Sequence, residues 1–102
     1  IINMYAKNDK RRLYQLMDMY VDGVITASVF CDEFYYAYDL EIADKDLTET
    51  ERYMFTELDK ISSRFSEFES DHQLDPKAFS TEYELRQKIL EVRNILKNEN
   101  MI

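Results

Sequence analysis

A chain of 102 residues with 45% hydrophobic and 33% charged side chains holds enough apolar material for one modest core, and too much for a disordered polymer. A single Gly and a single Pro leave a sheet protein short of turn residues, so the composition points to an all-helical domain spanning residues 1–102. Twenty-one acids against 13 bases give a net charge of -8, which disfavours direct nucleic-acid or membrane binding and favours a basic protein partner.

The pattern predicts four helices. The first, about residues 9–21, carries Leu13, Leu16, Met17 and Tyr20 as one apolar stripe. The second, about 26–42, opens on Thr26, a good N-cap, and presents Val29, Phe30, Phe34, Ala37 and Tyr38. Between them, "DMYVDGVITASV" places Asp18, Asp22 and Gly23 at calcium-loop positions 1, 5 and 6. Position 3 is Tyr20 and position 12 is Val29, so the bidentate carboxylate is missing and a tight helical hairpin turning at Gly23 is expected instead.

The third helix, about 48–65, starts at a capping box of Thr48 and Glu51, and carries Leu47, Met54, Leu58, Ile61 and Phe65. The fourth, about 80–98, repeats the capping-box spacing at Thr81 and Glu84, with Leu85, Ile89, Val92 and Leu96 as its stripe. Short connections between the early helices favour antiparallel neighbours, and an antiparallel four-helix bundle follows. The stretch "SEFESDHQLDPKAF", residues 66–79, has no helical period and contains the Pro, so it reads as a loop, with Phe68, Leu74 and Phe79 expected to pin it to the bundle.

Catalytic and metal chemistry find little to work with. His72 has no partners at the spacing of a triad or metal site, and reads as a solvated loop residue available to a partner. Cys31 stands alone, which fits a reducing compartment and an inert thiol. One Gly excludes a Gly-rich phosphate loop. No enzyme activity, cofactor or metal is expected. No apolar run approaches a membrane span and "IINMYAKNDKRR" is not a signal-peptide pattern, so the cytoplasm is the expected location.

Two features remain unexplained by folding alone. Glu67, Glu69, Asp71 and Asp75 follow the end of the third helix, where the dipole disfavours negative charge, and within 66–79 only Lys77 offsets them. "FYYAY", residues 34–38, puts aromatic side chains on more than one helix face, so some of these rings face solvent or a partner. The acids suggest docking to a basic protein; the tyrosines suggest a helical adaptor that binds through Tyr35 and Tyr36.

The order of segments resembles the colicin D-type immunity proteins. The resemblance is carried by "MYVDGVITASVFCDEF" with its Phe30 and Phe34 pair, by "FTELDKISSRF" ending in Arg64 and Phe65, and by "ELRQKILEVRNIL" after the acidic stretch. It spans roughly residues 13–97; residue-by-residue correspondence stops at Phe65, because the following stretch differs in length and order. The resemblance implies a bacterial cytoplasmic four-helix protein that binds a cognate toxin nuclease domain one to one. In that family the toxin is a tRNA-cleaving ribonuclease, and carboxylates of the inhibitor cover its basic cleft where RNA phosphates would lie. Carried to this chain, the expected contact set is Glu67, Glu69, Asp71 and Asp75, with Asp59 one turn before the helix end, and with Arg64 and His72 beside them.

Overall fold

A computed structural model describes residues 3–100 as all-helical, with no strand among the described residues beyond one isolated bridge. The long elements are α1 (Arg11–Val21), α2 (Ala27–Phe34), α3 (Glu49–Ser62) and α5 (Glu82–Asn100). A short α4 (Glu69–Leu74) lies inside the stretch expected to be loop. Helix α2 runs on as a π-helical segment, Tyr35–Glu41, and a 3-10 turn, Asp44–Asp46, leads to α3.

Each boundary has a local cause. After α1, Gly23 adopts φ 77, and the Gly23 and Val24 N–H groups donate back to the carbonyls of Tyr20 and Met19 at 3.1 and 2.8 Å. This is a Schellman close, which needs the left-handed residue. Thr26 then caps α2 by accepting from the Val29 N–H at 3.2 Å. The calcium-loop positions are thus occupied by a helix stop and a helix start, and Asp18 is ion-paired to Arg93 and Lys97 of α5.

The core unites the predicted stripes. Leu13, Leu16, Met17, Phe30, Phe34, Phe55, Leu58, Leu85, Ile89, Val92 and Leu96 are fully buried. Phe34 stacks on Phe30 and on Tyr38, and Phe55 meets Tyr14, Phe34 and Tyr38. Helix α1 packs on α2 and α5, and α3 packs on α5.

Three packing expectations are corrected. Val29, placed on the core face of α2, is exposed, because it sits in the first turn on the solvent side of the Thr26 cap. Phe68 and Leu74 do not pin the 66–79 stretch; they are 60% and 82% exposed. Backbone bonds fasten that stretch instead. The Ser80 N–H donates to the Arg64 carbonyl at 2.8 Å and the Ser66 N–H to the Ser80 carbonyl at 3.3 Å, a short parallel bridge that closes its two ends.

Candidate functional site

The acidic stretch is organised around Ser66. Its hydroxyl donates to Asp71 Oδ2 at 2.6 Å and accepts from the Phe68 N–H at 3.1 Å. Its carbonyl accepts from His72 Nε2 at 2.8 Å. A carbonyl can only accept, so Nε2 carries the proton. The His72 ring also meets Phe79 edge-on, and its Nδ1 is buried without a hydrogen-bond partner among the described residues. His72 is therefore a half-buried strut rather than a solvated residue.

This arrangement changes the electrostatic reading of the acids. Glu69 and Asp71 lie in the first turn of α4, where negative charge is favourable, and Asp71 is further held by Ser66. Glu67 falls between the end of α3 and the start of α4, and Asp75 is the C-cap of α4, so these two keep the unfavourable placement. Asp75 also turns the chain by accepting from the Lys77 N–H at 3.1 Å. Glu67, Glu69 and Asp75 are exposed, and none of the four acids is ion-paired among the described residues.

Arg64 caps its own helix: Nε donates to the Lys60 carbonyl at 2.9 Å while the guanidinium stays exposed. Asp59 meets a partner that the sequence did not suggest. Its carboxyl lies within hydrogen-bonding reach of Asp39, on the π-helical segment, next to the Tyr38 hydroxyl that bonds Thr56 at 2.6 Å. Burial, the Asp39 charge and the hydrogen bond between the two carboxyls push Asp59 up to about 6.

That shift has a sign. The folded chain holds a proton on Asp59 that the unfolded chain, with a pKa near 3.8, releases. The associated stability is fully present below about pH 3.8 and is lost as pH rises through about 6. The Asp59→Asn variant removes the repulsion, and is expected to be more stable at neutral pH by about 1 kcal/mol after allowing for water that screens a partly buried pair. Thermal melts should show the gain shrinking as pH is lowered and gone by about pH 4; an equal gain at every pH would contradict the carboxyl-pair account.

The aromatic surface is equally definite. Ala37 and Tyr38 turn inward with Phe34, while Tyr35 and Tyr36 are each 48% exposed and meet edge to face at 5.9 Å. They wall a cleft of about 330 Å³ with Asp32, Ser62, Ser63 and Phe65. A second cleft of about 380 Å³, bordered by Tyr20, Glu67, Glu82 and Arg86, shares Ser28 and Phe65 with the first. The two clefts adjoin at these residues, beside the start of the acidic stretch. Cys31 lines the first cleft, and burial together with the Asp32 charge pushes the thiol up to about 12, so it stays protonated at neutral pH.

A larger groove of about 690 Å³ runs between the N-terminal segment and α1. Its charges are mostly neutralised internally, by Lys10 with Glu51 and Lys97 with Asp18. Among the described residues no group of three or more His, Cys, Asp or Glu is placed to hold a metal ion, and no helix is long and apolar enough to cross a membrane.

Comparison with protein-family models, with characterised proteins and with solved structures returns no match for this chain.

Proposed function

We propose that this chain is an immunity protein: a non-catalytic inhibitor that binds a cognate bacterial toxin domain one to one and covers its basic, RNA-cleaving active site with carboxylates. The observation that carries the reading is the exposed acid set after α3, which forms no ion pair among the described residues. Glu67, Glu69 and Asp75 belong to a short segment that Ser66, His72 and the Phe65–Ser80 bridge hold in shape. Pre-organised anionic groups lose little entropy on docking, which suits a phosphate mimic. The antiparallel four-helix bundle implied by the family resemblance is part of the same proposal, supported by the packing of α1 on α2 and α5 and of α3 on α5.

The reading predicts a rate as well as an affinity. An inhibitor with a charge of -8 facing a basic cleft is steered on approach, with association near 10^8 M^-1 s^-1 to order of magnitude at low salt. Stopped-flow measurements against the cognate toxin domain are expected to show the association rate falling steeply with added salt while dissociation changes little. A salt-independent association rate would remove the case for phosphate mimicry.

The second reading is a helical adaptor without a toxin partner. The exposure of Tyr35 and Tyr36 favours it. It differs in expecting the tyrosines to dominate binding and the acids at 67, 69 and 75 to be silent.

A further inference from the structure

The cleft walled by Tyr35 and Tyr36 and the cleft bordered by Glu67 are neighbours that share Ser28 and Phe65. We propose that the tyrosine cleft is an arginine-reading site: a partner arginine lies against the Tyr35 and Tyr36 rings, its guanidinium paired with Asp32, and the neighbouring basic residue of the partner reaches Glu67 in the adjoining cleft. That the partner is a toxin rests on the immunity reading; the chemistry of the groove does not.

Charge selects the occupant. Asp32, Glu67 and Glu82 border the two clefts, and the cations beside them among the described residues are Arg86 and, over the Tyr36 ring, Lys7. Arg86 is already engaged over the Tyr20 ring at 5.6 Å, and the Tyr20 hydroxyl donates to Glu82 at 3.0 Å. Asp32 and Glu67 have no ion-pair partner among the described residues. An anionic or neutral apolar occupant would leave both uncompensated.

Aromatic geometry narrows it further. A cation within about 6 Å of a ring centroid is attracted by the ring face. The chain supplies an internal example, since the Lys7 ammonium stands 5.2 Å from the Tyr36 centroid. An exposed lysine ammonium is strongly hydrated and readily displaced, whereas a planar guanidinium stacks on an aromatic ring and forks to a carboxylate. At about 330 Å³ the tyrosine cleft is at the small end for a ligand pocket, a size suited to one side chain rather than a cofactor. Ser62 and Ser63 add hydroxyl oxygens to its wall.

The test uses the full chain, labelled with nitrogen-15 and titrated at low salt with acetyl-Arg-Arg-amide, and with acetyl-Lys-Lys-amide as the control. Saturable shifts are expected at Ser28, Cys31, Asp32, Tyr36 and Ser63, with the arginine probe binding more tightly than the lysine probe. Tyr35→Ala with Tyr36→Ala, and separately Asp32→Asn, are expected to weaken the arginine probe about fivefold while the rest of the spectrum stays in place. Equal response to both probes, shifts spread over all acidic positions, or no saturable shift would overturn the site. The same double variant binding the toxin domain as tightly as wild type would overturn the cleft as a toxin contact, and would leave the immunity reading intact. Loss of all toxin binding by wild type, with the arginine probe still seated, would strike the immunity reading alone.

Discussion

Replacing Glu51 with alanine is expected to cost about 3 kcal/mol of stability, a large part of what a domain of this size holds. Glu51 is 1% exposed, yet its carboxylate is well supplied with donors. It accepts from the Thr48 N–H at 2.8 Å, from Lys10 Nζ at 2.9 Å and from the Tyr14 hydroxyl. The first bond closes the α3 capping box; the other two tie α1 and the residue before it to α3. Burial alone would raise the Glu51 pKa, but the Thr48 N–H, Tyr14 and Lys10 outweigh it and hold it below the ordinary value. Its stabilisation is therefore present above about pH 4.5 and lost as pH falls through the lowered value, opposite in sign to that of Asp59. Urea denaturation should show the loss at neutral pH. A cost under about 1 kcal/mol would mean that the carboxylate acts only as a helix cap.

Reversing Glu67, Glu69 and Asp75 to lysine together is expected to weaken toxin binding by about 100-fold or more, at roughly 1 kcal/mol for each charge turned against a basic cleft. Melting temperature should barely move, since all three are exposed and form no ion pair among the described residues, and only Asp75 gives up a bond, the one from the exposed Lys77 N–H. Asp71 is left out deliberately, because its bond to Ser66 gives it a structural role. The Asp71→Asn variant should loosen residues 66–79, seen as faster amide exchange at Phe68 and His72, before it affects affinity. If the triple reversal unfolds the chain, those acids are structural; if it leaves affinity unchanged, the contact lies elsewhere.

The long helices were legible because their signals reinforce one another. Thr48 and Glu51 form the expected box, Gly23 takes the expected left-handed turn, and the leucine stripes of α1 and α5 are buried as spaced. Helix α4 escaped because six residues are too few to show a period. Its one local sign is Pro76, two residues past Leu74, where a helix commonly stops. Because α4 leaves no period in the sequence, Glu69 and Asp71 read there as acids past the C-terminal end of α3, whereas they open α4 at the favourable end of its dipole. The meeting of Asp39 with Asp59 and the cleft that Tyr36 walls with Ser62 and Ser63 join residues distant in sequence. Each depends on how the π-helical segment and the end of α3 lie together, which no local spacing encodes.

Calorimetric titration of the wild-type chain into a candidate cognate toxin domain, at low and at high salt, tests the proposed immunity role most directly. The account predicts one-to-one nanomolar binding that weakens with salt and abolishes RNA cleavage by that domain. A folded, active toxin domain that neither binds this chain nor is inhibited by it would contradict the account.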